Sequence, residues 1–138
     1  MFENKPFFTT ENHWVTVWIG SLNEESVESY LEECGVDDDE PISQFSKDLG
    51  CWYDHDFIWY EAVDSPVCIE ELCRNNGVDS IELIEELTAR SGGGEYNCFI
   101  MLWNSRLLNA EDDRAFFNGK LSCIGSWQHE SPLVDDDY

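Results

Sequence analysis

Positive charge is what this chain of 138 residues has least of: seven Lys plus Arg stand against thirty Asp plus Glu, a formal net charge of −23. Affinity for DNA or RNA is built from Lys and Arg at phosphates, so no direct nucleic-acid binding is expected. Anionic membrane surfaces are disfavoured by the same sign. Long apolar runs are missing too; none approaches the ~20 residues of a transmembrane helix. The opening MFENKPFFTT lacks a positive region followed by an apolar stretch and a small-residue cleavage site, so no secretory signal is expected and a cytoplasmic location is. No C-x-x-C pair occurs among the six cysteines, Cys34, Cys51, Cys68, Cys73, Cys98 and Cys123. An even count suggests disulfides only in a secreted chain, so these read as small reduced core residues, with no metal and no cofactor implied.

What is present separates the chain from disordered acidic tails. It is 42% hydrophobic and 14% aromatic, with six Trp, enough to build a core. The length fits one domain spanning residues 1–138, with residues 1–12 and 130–138 expected as flexible ends.

Periodicity supplies the elements. HWVTVWIG (13–20) alternates, with Val15, Val17 and Ile19 on one side and Trp14, Thr16 and Trp18 on the other. Both rows are largely apolar, which predicts an interior strand. Ser21 and Glu24 fit a capping box, followed by a helix with Val27, Tyr30, Leu31 and Cys34 inward and Gly35 at its stop. Pro41 is expected to open a second short helix, with Ile42, Phe45 and Leu49 buried and Gly50 closing it. Trp52 to Ala62 reads as extended. Ser65-Pro66 reads as the start of a third helix with Ile69, Leu72 and Cys73 inward. Asp79 and Glu82 frame a fourth, with Leu83, Ile84 and Leu87 inward and Glu86 spaced to pair with Arg90. Ser91 to Glu95 reads as a flexible linker. Asn97 to Trp103 is apolar on both rows and predicts a central strand. Leu121 to Trp127 predicts another, with Gly125 marking a bulge. Between them, AEDDRAFF is a candidate helical turn and NGK a tight turn. The fold class expected is α+β: a single domain with a roughly four-stranded mixed or antiparallel sheet and about four helices packed on it.

The charge is concentrated. Glu24 through Glu86 holds twenty acids and two bases, Lys47 and Arg74. Such crowding costs folding stability, while solubility needs a net magnitude of only about 2–8. A solvated face would account for part of it; a contact surface for Lys and Arg would account for the excess. The candidates for that surface are Asp37, Asp38, Asp39, Glu40, Asp54 and Asp56. Asp37 to Glu40 does not follow a calcium loop, since an EF-hand needs Gly at position six and Glu at twelve. Asp54-His55-Asp56, on a strand, would set two carboxylates on one face about 7 Å apart. That suits a hard metal or acid–base work as well as partner recognition, but no further ligand follows by spacing. No P-loop and no nucleophile elbow occurs, and an enzyme is not expected.

Together, VTVWIG (15–20), the glutamate-rich helix through Tyr30-Leu31, ISQFSKDLG (42–50), YDHDFIWYEA (53–62) and SCIGSW (122–127) resemble the immunity protein 22 family of bacterial polymorphic toxin systems. The similarity runs from about Trp14 to Trp127. It implies a cytoplasmic antidote, encoded beside a toxin whose C-terminal domain it neutralises: a binder, with no catalytic residues to carry over. The charge agrees with this independently. Toxins that act on nucleic acid carry basic clefts, which an acidic protein can occlude while aromatic side chains anchor the contact. An acidic nucleic-acid mimic acting on a host DNA-binding protein, and a carboxylate enzyme using Asp54 and Asp56, are the alternatives.

Overall fold

The structure, a computed structural model, describes residues 5–32, 35–37, 40–51, 53, 57–75, 78, 80–109, 111–112 and 114–128, with backbone alone for 35–37 and 40–42. Its elements in chain order are β1 (Phe8–Gly20), α1 (Glu24–Leu31), β2 (Gly35–Asp37), β3 (Glu40–Ile42), α2 (Gln44–Leu49), β4 (Ile58–Cys68), α3 (Ile69–Asn75), α4 (Ile81–Ser91), β5 (Glu95–Leu107) and β6 (Leu121–Gln128). Four strands form an antiparallel sheet in the order β4-β5-β1-β6, and β2 and β3 pair as a separate two-stranded piece.

The two interior strands, β1 and β5, are the two whose side-chain rows are apolar on both sides, because helices cover both faces of the sheet. Trp18, Cys98, Ile100 and Leu102 point into one core with Val27, Tyr30 and Leu31 of α1 and Phe45 and Leu49 of α2. Val15, Val17, Ile19, Phe99, Met101 and Trp103 point into the other, against Ile69, Leu72 and Cys73 of α3 and Leu83, Ile84 and Leu87 of α4. The sheet is therefore the middle of three layers, and each buried large side chain contributes about 1.5–3 kcal/mol of burial. The first core is aromatic: Trp18 meets Phe45 edge-on at 4.9 Å and Phe116 at 5.5 Å, and Phe7 meets Phe116 at 4.9 Å.

Several local expectations give way to the sheet. β1 begins at Phe8, not His13, and Phe7 and Phe8 are buried in the stretch expected as a flexible end. The cap of α1 is Asn23, whose side chain accepts from Ser26 N at 2.8 Å, in place of Ser21; α1 ends at Leu31, before Gly35, which lies in β2. Pro41 sits in β3 opposite Val36, and the second helix is capped by Ser43. That is a site a proline tolerates, since a two-stranded piece is all edge. Ser65-Pro66 satisfies the rules of a helix start but lies inside β4, where the register against β5 shifts between Ala62 and Val67. The 91–95 stretch is an ordered stop: Gly92 and Gly93 lie at φ 82° and 75°, and their amides bond to Ala89 and Thr88 carbonyls. Gly125 does mark a bulge, with β6 slipping register against β1 between Val17 and Trp18. NGK does turn, Phe117–Gly119 forming one 3₁₀ turn, while Arg114 and Ala115 ahead of it are not helical.

Among the described cysteines Cys73 and Cys98 are buried and Cys51 and Cys123 half-buried, all unpaired. Cys68, at the end of β4, is exposed, so it does not serve as the core residue expected. Cys34 lies outside the described residues.

Candidate functional site

The charge asymmetry seen in sequence becomes a surface on α1. Burying Val27, Tyr30 and Leu31 leaves Glu24, Glu25 and Glu28 outward, with Glu32 at the C-cap. Glu24, Glu28 and Glu32 follow at i, i+4 and i+8, so like charges stack along one face, each such pair costing a few tenths of a kcal/mol. The helix dipole favours Glu24 and Glu25 in the first turn but opposes Glu32 at the other end. The ion pairs among the described residues are Arg74–Glu70, Arg106–Glu11 and Arg114–Asp112, and none involves α1.

β4 runs beside this helix. The Tyr60 hydroxyl donates to Glu28 Oε2 at 2.9 Å. Burial first, then the Glu28 bond and charge and the Glu24 charge, push the phenol up to about 12. On the next residue, burial and the Glu24 charge raise the Glu61 carboxyl above its ordinary range. Glu25, Glu28, Ser29, Leu31, Glu32 and Tyr60 line an open groove of about 480 Å³. Its rim is negative and its floor is apolar and aromatic, which suits a Lys or Arg side chain: stem against Leu31 and Tyr60, head among carboxylates.

The arginines gather elsewhere. Arg90 stacks over Trp127 at 5.4 Å and Arg106 over Trp14 at 5.2 Å, both against a cavity of about 380 Å³ along β6. Arg90 donates to the Ile124 carbonyl at 3.1 Å, while Glu86 accepts from Trp127 Nε1 at 3.3 Å. Both residues turn to β6 in place of the helical pair expected of them.

Of the residues singled out from the sequence, Asp37 ends β2 and Glu40 opens β3, and the two are register partners in that two-stranded piece. Asp38, Asp39, Asp54 and Asp56 lie outside the described residues. Among the described residues, no group of three or more His, Cys, Asp or Glu is placed to hold a metal ion. Tyr60 and Glu61 were missed as site residues. They stand 28 to 37 positions from the α1 glutamates, and only the packing of β4 beside α1 joins them.

The profile of the family described as Immunity protein 22 matches residues 15–130, most of the chain. The chain belongs to the Immunity protein 22 family. The match runs from Val15 within β1 through β6, and so takes in the α1–β4 groove and most of both cores, Phe7 and Phe8 lying ahead of it. Membership gives the chain a toxin-immunity role, exercised by binding a toxin protein. An Immunity protein 22 chain therefore needs a protein-contact surface for its toxin. No curated protein and no solved structure matches the chain. No helix among the described residues is long and apolar enough to cross a membrane.

Proposed function

We propose that this protein is a cytoplasmic antidote that neutralises one cognate toxin domain, a basic nuclease, by laying its acidic surface over the toxin's phosphate-binding cleft. The observation that carries this reading is the set of α1 glutamates, Glu24, Glu25, Glu28 and Glu32, which no described basic side chain pairs with. Uncompensated carboxylates on one helix oppose folding slightly, and a basic partner would turn that cost into binding and steering energy. Asp37, Asp38, Asp39, Glu40, Asp54 and Asp56 belong to the same proposed contact surface. The protein acts as a binder, by occlusion, without cofactor or catalysis of its own.

The test is inhibition. The toxin domain encoded immediately beside this gene, purified, is assayed for nucleic-acid cleavage with increasing amounts of this protein. Cleavage should cease at one equivalent, and the two should elute as a complex. A toxin domain that leaves nucleic acid intact would remove the nuclease reading. Undiminished cleavage in the presence of excess protein would remove occlusion.

A further inference from the structure

An open sheet ends in two edge strands, and each edge presents a row of N–H and C=O groups that could pair with another chain. The two edges of this sheet are guarded unequally. β6 is eight residues long and bulged, with Gly125 at φ 136°. Arg90 lies on its flank and donates to the Ile124 carbonyl at 3.1 Å. The second half of β4 is guarded as well: its register breaks between Ala62 and Val67, Pro66 lies in the break, and Asn97 Nδ2 donates to the Val63 carbonyl at 3.0 Å.

The first half of β4 has none of these devices. Ile58, Trp59, Tyr60, Glu61 and Ala62 pair with Leu102, Met101, Ile100, Phe99 and Cys98 in unbroken register. Among the described residues, no backbone bond reaches this segment from outside the sheet. Nothing among the described residues, then, blocks this edge of five consecutive residues. The segment also carries a half-buried Trp59, edge-on to Trp103 at 5.6 Å, and a half-buried Tyr60 on the opposite face. Trp and Tyr are the side chains that most often anchor protein interfaces.

We propose that Ile58–Ala62 is a docking edge to which an extended segment of the toxin adds as a fifth strand, with Lys or Arg at alternate positions. The chemistry of the occupant follows from what flanks the edge. A strand added there lies about 4.8 Å from β4, and every second side chain points to one face. On the α1 face those side chains enter the groove formed by Tyr60, Glu25, Glu28 and Glu32. Lys or Arg at those positions meets carboxylates that lack a described cation. Main-chain pairing supplies affinity, and the charged groove supplies register and choice of partner. This inference rests on the reading that the protein binds a basic toxin.

Amide hydrogen exchange, resolved by residue, tests it on the full-length protein alone and with the toxin domain encoded beside its gene. In the complex, the outward-facing amides among Ile58–Ala62 should exchange at least about tenfold more slowly. Glu28→Lys with Glu32→Lys should weaken the complex at least about tenfold, since like charges directly opposed across an interface are costly. A stoichiometric complex that leaves the Ile58–Ala62 amides unchanged would overturn the docking edge while leaving toxin binding intact. Absence of any complex would overturn both.

Discussion

Arg114 should be the single charged side chain whose removal costs the fold most. Its guanidinium donates to the Lys5 carbonyl at 2.7 Å and to the Asp48 and Leu49 carbonyls at 3.1 Å each, and its Nε and Nη2 hold Asp112, the latter at 2.7 Å. It also stacks over Phe7 at 5.0 Å. One side chain thereby binds three separate pieces: the entry to β1, the C-terminal carbonyls of α2, and the segment leading to Phe116. This is not a surface pair, the two side chains being 17% and 23% exposed. Each hydrogen bond to a charged group is worth roughly 1.5–3 kcal/mol in isolation, and the set is not additive. The pair is only half-buried, so the cost falls mainly on the Lys5, Asp48 and Leu49 carbonyls that lose a charged donor, more than one such bond at about 1.5–3 kcal/mol and less than their sum. We therefore expect Arg114→Ala to lose about 3–5 kcal/mol. Arg114→Lys should recover less than half of it, because one ammonium cannot reproduce the planar fork. Urea unfolding followed by tryptophan fluorescence reads this directly; with slopes of about 1–3 kcal/mol per molar, the midpoint should fall by roughly 2 M. A loss under about 1 kcal/mol for Arg114→Ala would show that the three pieces are held by apolar packing alone, and the reasoning would fail.

The same pair sets a pH dependence. Hydrogen bonds from Arg114 hold the Asp112 carboxyl below its ordinary range. A depressed folded value contributes stability above the unfolded pKa that is lost as pH falls through the folded one. Between about pH 4 and pH 2, the urea midpoint of the wild type should fall further than that of Asp112→Asn; equal slopes would contradict the assignment. Thiol reactivity should follow burial: in the native protein Cys68 reacts at once, whereas Cys73, whose thiol burial pushes up to about 12, and Cys98 react only on unfolding. All six cysteines should titrate in denaturant when the protein is prepared without oxidation, and a count of two or fewer would contradict the reduced reading.

The parts of this fold legible in the sequence were those governed by local periodicity. β5 reads as a central strand because Cys98 to Trp103 is apolar on both rows, and both rows are buried. Phe45 and Leu49, and likewise Leu83, Ile84 and Leu87, mark helix faces, and Gly50 marks a stop in the left-handed region. The misreadings share one cause: a local rule satisfied by a segment that the sheet uses otherwise. Ser65-Pro66 is a good helix start, yet pairing of Val67 and Cys68 with Tyr96 and Glu95 holds that stretch in β4. Phe8–Asn12 has no alternating apolar row, so its place in β1 is set by Phe8, Thr9 and Thr10 pairing with Leu107, Arg106 and Ser105, about a hundred residues away. The acidity of α1 was plain from its glutamates, but the groove was not, since Tyr60 enters it from another element. Arg114 could not be found at all by spacing, because its carbonyl partners lie 65, 66 and 109 positions away.

The central claim is that the α1 carboxylates draw in and hold a basic toxin. The association rate constant between this protein and the toxin domain encoded beside its gene, measured from low to high salt, tests it most directly. Attraction between exposed charges is screened within about 8 Å at physiological ionic strength and about 3 Å at 1 M, and steered association can reach ~10⁸–10⁹ M⁻¹s⁻¹ at low salt. The account predicts a steep fall in association rate with salt, a much smaller change in dissociation, and a flattened salt dependence for Glu24→Gln, Glu25→Gln, Glu28→Gln and Glu32→Gln combined. An association rate indifferent to salt, and unchanged in that variant, would contradict it and leave shape and apolar burial as the basis of recognition.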